Sequence, residues 1–299
     1  VSPDGRYVAY AVSKGGSDWR EVFVRDVETS TDLADHLSWV KFSSLSWDAD
    51  GFYYSRYDEP GKGSELSGSN QNQKLFYHKL NTEQAADRLI YEDSKHPNYM
   101  FSAELDDEFR FLFLYVSSST NGNLLYIKDL KKKGEWQMAD PDFETHTEFV
   151  GLIDGKILVL TNFDAPRYRL MAIDPASPAL ENWTELIAES ANVLSSANLT
   201  KDYIVANYMV DVRSQLSVFN KKGELLHNPE LPGIASVSGI EPLKDENRFY
   251  LNYTSYTTPA QIMLYNIDAK SFSEVFVPQV DFRPDDYEVK MVFIDAEDG

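Results

Sequence analysis

The chain has 299 residues, 42% of them apolar, 25% charged and 13% aromatic, a composition with ample material for a globular core and a length ordinary for one propeller or barrel. Lys and Arg number 28 against 48 Asp and Glu, so the net charge is −20. Such a polyanion repels phosphate backbones and acidic membrane surfaces, so neither nucleic acid nor membrane is expected as a partner. With no Cys, disulfide frameworks and thiolate metal sites are excluded. No apolar run approaches the ~18 residues that span a bilayer. No signal peptide is expected within the residues at hand. A chain opening on VSPDGRYVAY without Met reads as a segment of a longer, soluble protein, cytoplasmic or periplasmic, with the compartment left open.

Taken in chain order, one pattern recurs: a polar turn, then an apolar strand. It reads SPDG-RYVAYAV at 2–12, DADG-FYYSRY at 48–57, DDEF-RFLFLYV at 106–116, DG-KILVLTN at 154–162, TKD-YIVANYM at 200–209 and KDEN-RFYLNYT at 244–254. The strands begin near Tyr7, Phe52, Phe111, Ile157, Tyr203 and Phe249, at spacings of 45, 59, 46, 46 and 46. A second strand follows in each unit: EVFVRDV, KLFYHKL, LLYIKDL, RLMAIDP, QLSVFNK and IMLYNID. A third is weaker, as in ADRLIYE at 86–92 and SFSEVFV at 271–277, and another precedes each turn, as in VKFSSLSW at 40–47.

Four short strands per repeat of about 46 residues predict an all-β propeller of four-stranded antiparallel blades. One blade cannot bury both faces of its sheet, but stacked neighbours can. Asp-Gly and related turns supply the backbone angles of tight hairpins. No sustained 3.6-residue apolar period argues for a helix. Six units are expected, at about 1–36, 37–95, 96–142, 143–190, 191–232 and 233–280, with the first lacking the strand before its turn. The second unit carries about ten extra residues, in DEPGKGSELSGSNQN at 58–72, a composition that favours a mobile loop.

Motifs for chemistry are missing. No G-x-S-x-G nucleophile elbow occurs. His36, His78, His96, His146 and His227 lie in different units without the pairing of a zinc site. His78, on a strand, reads as a packing or solvent-facing residue. GKGS at 61–64 lacks the phosphate-loop spacing, and DADG at 48–51 reads as a hairpin turn rather than a calcium loop. Lys131, Lys132 and Lys133 read as a solvated turn. No catalytic residue, metal ligand or cofactor site is assigned.

Several segments resemble the prolyl oligopeptidase family: SPDGRYVAYAVSKGGSDW at 2–19, KFSSLSW at 41–47, FYYSRY at 52–57, NQKLFYHKL at 72–80, SAELDDEFRFLFLYVS at 102–117 and PRYRLMAID at 166–174. The resemblance implies a seven-bladed propeller that caps an α/β-hydrolase domain of the same chain. It implies that the propeller admits short proline-containing peptides to a serine endopeptidase cleaving after proline. It also implies that the propeller occupies 1–286, that a first blade lies upstream of Val1, and that YEVKMVFIDAEDG at 287–299 is the strand and turn leading into the hydrolase domain. By the same resemblance Phe52 lies near the substrate pocket, although a repeated apolar strand makes it equally an ordinary core Phe. Ser117 and Thr120 stand where animal members of the family use Arg and Cys. Arg56 is a candidate cation for a peptide carboxylate, against an ordinary surface Arg. The 58–72 insertion falls on a loop that the family places at the domain interface. A free-standing propeller serving as a protein-interaction scaffold is the alternative.

Overall fold

Apolar residues alternating along short strands have one stable outcome, sheets packed face to face. The computed structural model describes residues 1–65, 68–132, 134–243 and 245–295. Leu66 and Ser67 of the 58–72 loop, Lys133 of the lysine run, Lys244 of the sixth turn and residues 296–299 of the terminal stretch lie outside them. The first sheet orders β1 (Tyr7–Ser13), β2 (Arg20–Asp26), β3 (Thr31–Trp47), β4 (Gly51–Arg56), β5 (Lys74–Lys79) and β6 (Arg88–Glu92). The second contains β7 (Met100–Leu105), β8 (Phe111–Ser117), β9 (Leu124–Asp129) and β10 (Gln137–Asp140). The third contains β11 (Thr147–Ile153), β12 (Lys156–Thr161), β13 (Arg169–Ile173) and β14 (Thr184–Ile187). The fourth contains β15 (Val193–Leu199), β16 (Tyr203–Val210), β17 (Arg213–Asn220) and β18 (Leu225–His227), and the fifth β19 (Ser236–Pro242), β20 (Arg248–Thr254), β21 (Gln261–Asn266) and β22 (Ser271–Phe276). Helical structure among the described residues is confined to three 3₁₀ turns, Gln84–Ala86, Leu180–Asn182 and Pro284–Asp286. The fold is an all-β propeller of antiparallel four-stranded blades.

The count of six separate units needs correction. Among the described residues there are five sheets, because β3 runs unbroken through the first two units. Its first part pairs with β2, from Thr31 opposite Asp26 to Val40 opposite Arg20. Its last part pairs with β4, from Leu45 opposite Tyr54 to Trp47 opposite Phe52. The run TDLADHLSWVKFSSLSW contains neither Gly nor Pro, the residues that most often interrupt a strand. The next two sheet boundaries carry Pro97 and Pro141, and the last carries Pro229 and Pro232. Residues 288–295 carry no strand in this structure. Val292, Phe293 and Ile294 there are exposed.

The chain forms two compact units, residues 1–149 with 175–182 and residues 150–174 with 183–299. Within the first, Tyr53 and Leu75 of the first sheet pack against Leu112, Leu114 and Val116 of the second. The opposite face of the first sheet buries Val22, Val24, Leu37, Phe52, Tyr54 and Phe76. Within the second, Leu158 and Leu160 meet Ile204 and Ala206, and Val205, Leu216 and Val218 meet Phe249, Leu251 and Met263.

Polar side chains fasten neighbouring sheets to one another. Ser55 Oγ donates to Phe101 O at 2.6 Å, and Gln73 Oε1 accepts from Phe101 N. Asn123 holds Thr147 by both backbone groups, Nδ2 to O at 3.0 Å and N to Oδ1 at 3.2 Å. Asn207 Nδ2 donates to Val237 O at 3.2 Å while Ser214 Oγ accepts from Val237 N at 2.9 Å. In each case the first strand of a sheet has backbone groups facing its neighbour, and a buried group left without a partner is costly.

The glycines of the Asp-Gly turns do not all serve the same purpose. Gly155 has φ +78°, the left-handed conformation that glycine adopts without steric penalty. Gly51 is not in that region; there, a Cβ would stand 2.0 Å from His78 O, so the requirement is close approach of two backbones. Gly51→Ala is expected to lower stability by about 1–3 kcal/mol through overpacking. Urea titration should show a lower midpoint at unchanged slope.

Candidate functional site

Backbone irregularity concentrates where β3 crosses from β2 to β4. The strand advances from Val40 to Leu45 while β4 moves only from Arg56 to Tyr54, so β3 bulges outward over residues 41–44. Trp39 and Phe42 have φ of 60° and 51°, and a left-handed bulky residue costs on the order of 1 kcal/mol or more. Hydrogen bonds hold the bulge, including one from Gln73 Nε2 to Phe42 O at 3.3 Å. Gln73 Nε2 donates to Lys41 O at 2.9 Å, Ser55 N to Ser43 Oγ at 2.8 Å, and Tyr57 N to Trp39 O at 3.1 Å.

Aromatic rings gather on it. Trp19 meets Trp39 edge-on at 5.6 Å and Tyr57 at 5.9 Å. Lys41 Nζ sits 5.3 Å from the Trp19 ring and 5.2 Å from Phe42, and Phe42 is 55% exposed. The Trp19 indole N–H donates to Glu65 O at 2.6 Å, tying this cluster to the 58–72 loop. Asp58, at the start of that loop, is paired with Lys74 at 2.8 Å.

Arg56 ends β4 beside the bulge. Its guanidinium stacks on Phe76 at 4.3 Å, Nη1 lies 3.5 Å from Tyr57 O, and Nε is buried without a hydrogen-bond partner. Arg110 and Arg169 also leave Nε unpaired, but they pair with Asp129 at 3.3 Å and Glu185 at 3.1 Å. Among the described residues no carboxylate pairs with Arg56. The side chain is a half-buried cation with spare donors, which a carboxylate would satisfy.

Phe52 lies at the other end of the same strand, roughly 13 Å away at strand rise. Its ring has no exposed surface and sits between Trp47 at 5.0 Å and His78 at 5.4 Å. The structure therefore does not bring Phe52 and Arg56 together, and the surroundings of Phe52 are those of a core residue. Ser117 at the end of β8 is half-buried, and Thr120 lies exposed in the following loop.

Two clusters escape a sequence reading. His78 is wholly buried, with Nδ1 2.7 Å from Asp87 Oδ1 and Nε2 2.9 Å from Asp35 Oδ1. A carboxylate on each ring nitrogen leaves none for a serine hydroxyl, so this is not the base of a catalytic triad. On the first strands of the second and third sheets, Glu104 accepts from Tyr115 OH at 2.7 Å, and that hydroxyl accepts from Phe149 N at 3.0 Å. Burial raises the Glu104 pKa, against the Tyr115 hydrogen bond and together with repulsion from Glu148 and Asp107. Burial likewise raises that of Glu148. No local motif signals either cluster, because the partners come from different strands. Among the described residues, no group of three or more His, Asp or Glu side chains could hold a metal ion, and no helix is long and apolar enough to cross a membrane.

Repeated antiparallel sheets of this kind define a β-propeller domain. Comparison with known proteins names its kind. The model of the family described as prolyl oligopeptidase, N-terminal beta-propeller domain, matches residues 1–277. The chain is 38% identical over 297 residues to the prolyl endopeptidase of Elizabethkingia meningoseptica, covering 99% of this chain and 42% of that one. It is 28% identical to a dual function macrocyclase-peptidase of Galerina marginata, of which it covers 44%. Among solved structures, prolyl oligopeptidase B from Galerina marginata bound to a 25mer macrocyclization substrate aligns with TM-score 0.89 at 26% identity, over 100% of this chain and 44% of that one. A structure from a study of two prolyl endopeptidases aligns with TM-score 0.86 at 30% identity, over 100% of this chain and 43% of that one. This chain belongs to the prolyl oligopeptidase N-terminal β-propeller family. It spans less than half the length of the relatives it matches.

The raised Glu104 pKa has a consequence for stability. The folded state disfavours the ionised carboxylate, so this group lowers stability as pH rises from the unfolded pKa through the folded one. Below about pH 4 both states are protonated and the penalty vanishes. Glu104→Gln keeps an acceptor for Tyr115 and is expected to raise the urea midpoint at neutral pH, with the gain disappearing in acid.

Proposed function

We propose that this chain is the substrate-gating propeller of a serine endopeptidase that cleaves short peptides after proline, acting with an α/β-hydrolase catalytic domain of the same polypeptide. The observation that carries this reading is the family match over residues 1–277, joined by whole-chain similarity to enzymes called prolyl endopeptidases. The propeller occupies 1–286 and residues 287–299 begin the connection to the catalytic domain.

A further blade of the intact polypeptide packs against the fifth sheet. The support is positional. Register sets Ile204 opposite Phe219 and Phe249 opposite Tyr265, so Tyr250, Ile262 and Leu264 match Val205, Leu216 and Val218. The last three are fully buried, whereas Ile262 is 37% exposed and Tyr250 and Leu264 are half-exposed. Asn252 matches Asn207, which clasps the next sheet through Val237 O, and it is exposed.

Peptides bind at the Arg56 end of β4, where the free guanidinium donors take a substrate carboxylate, and Phe52 supports that strand from within the core. The 58–72 loop, tethered through Trp19, controls entry. Arg56→Met in the intact polypeptide is expected to raise KM about tenfold for peptides with a free C-terminal carboxylate, the cost of one charge-assisted hydrogen bond. The corresponding amidated peptides should be unaffected, and an equal change in both series would remove Arg56 from the site. Shortening 58–72 to the length found in the other units should raise kcat/KM for long peptides relative to short ones. An unchanged ratio with unchanged stability would refute gating by this loop.

A further inference from the structure

The His78 cluster lies where β3 passes between the two parts of the first sheet. Its ring is bonded to Asp87 Oδ1 at 2.7 Å and Asp35 Oδ1 at 2.9 Å, and neither the ring nor the two carboxyl side chains is exposed. Asp35 belongs to β3, and Asp87 follows the 3₁₀ turn Gln84–Ala86. From β4, Tyr54 OH donates to Asp87 Oδ2 at 2.6 Å, and it reaches the imidazole only through that carboxylate. Gln84 extends the contact, accepting from Ser38 N and donating to Ser38 O, both at 3.1 Å, and donating to Tyr54 OH at 3.2 Å. The side chain of one strand thus joins β3, β4 and the turn before β6.

Ionised carboxylates only accept hydrogen bonds, so bonding to both requires a proton on each ring nitrogen, which is the imidazolium. Burial opposes that charge, but the hydrogen bonds and charges of Asp87 and Asp35 outweigh it, and the His78 pKa is raised. The two carboxylates are not equally secured. Asp87 keeps Tyr54 whatever happens to the ring. Asp35 has Asn81 N on Oδ1 at 2.7 Å, while its Oδ2 is buried with no partner.

We propose that His78 is a proton-operated clamp on this junction, and that loss of its Nε2 proton to solvent releases Asp35 and loosens the docking of β3 on β5. The neutral ring keeps its Nδ1 proton toward Asp87, where Tyr54 already stabilises the acceptor. Its bare Nε2 then faces Asp35 Oδ1 lone pair to lone pair, and the carboxylate's Oδ2 has no hydrogen-bond partner to compensate. A group with a raised folded pKa contributes stability that is fully present below the unfolded value and lost as pH rises through the folded value. The junction is therefore tight in acid and loose in alkali.

Hydrogen exchange of the intact polypeptide at about pH 6 and about pH 9, corrected for intrinsic rates, tests this. Peptides covering 33–40 and 78–87 are expected to lose protection about tenfold at the higher pH, the loss of one charge-assisted bond, while peptides from the fifth sheet do not. In Asp35→Asn the amide oxygen can still accept from Asn81 N and from Nε2, but the charge that favours the imidazolium is gone, so protection at the junction should already be reduced at about pH 6 and change little up to about pH 9. His78→Gln should be weakly protected at both values. Equal wild-type protection at the two pH values would overturn the clamp, as would the same pH dependence in Asp35→Asn as in wild type. Both readings use variants or conditions that keep the strand pairing, so they stand even if His78→Gln fails to fold.

Discussion

Each sheet of this protein has two apolar faces and can cover neither by itself. Tyr53 and Leu75 look one way from the first sheet, and Phe52, Tyr54 and Phe76 look the other. The same alternation recurs at Ile204 and Val205 in the fourth. Stacking sheets satisfies both faces at once, with burial contributing roughly 1.5–3 kcal/mol for each large side chain removed from water. Stacking also brings the first strand of one sheet against its neighbour, where backbone N–H and C=O groups would go unsatisfied. Ser55, Gln73, Asn123 and Asn207 answer that need, each offering an amide or hydroxyl at the seam. Hydrophobic burial thus sets the stacking, and these short polar side chains fix its register.

The junction of the first two units departs from this plan, and the unusual chemistry collects there. Because β3 does not break, one strand must leave β2 and join β4, and it does so by bulging. Left-handed Trp39 and Phe42 are the local result. Gln73 serves twice, holding the bulge through Lys41 O and the next sheet through Phe101 N. His78 lies on the inner side of the same crossing and joins the pieces electrostatically. The bulge exposes Phe42 and leaves Arg56 without a carboxylate, so the same distortion that solves a packing problem also presents aromatic and cationic surface.

Phe52 and Arg56 illustrate how a strand separates residues that look adjacent in sequence. Both occupy the same face of β4, yet one lies wholly inside the core and the other at the rim. Burial at the Phe52 end of β4 and partial exposure at the Arg56 end are separated by roughly 13 Å of strand.

Strand positions, the repeat period and the extra length of 58–72 were legible in the residues, because alternation and turn chemistry are local properties. The absence of a nucleophile elbow was legible for the same reason. The merging of two units into one sheet was foreshadowed only by what the run 31–47 lacks, a Gly or Pro to end it. Nothing local marked His78 as a buried cation: its carboxylates stand 43 and 9 residues away. Nor did Glu104 announce its partners, since Tyr115 and Glu148 reach it from other strands. Periodicity determines which residues turn inward, and that much the chain carries in its order. Which inward-facing charges meet depends on how strands pair and sheets stack, and only the tertiary structure decides that, because buried electrostatics act between neighbours in space.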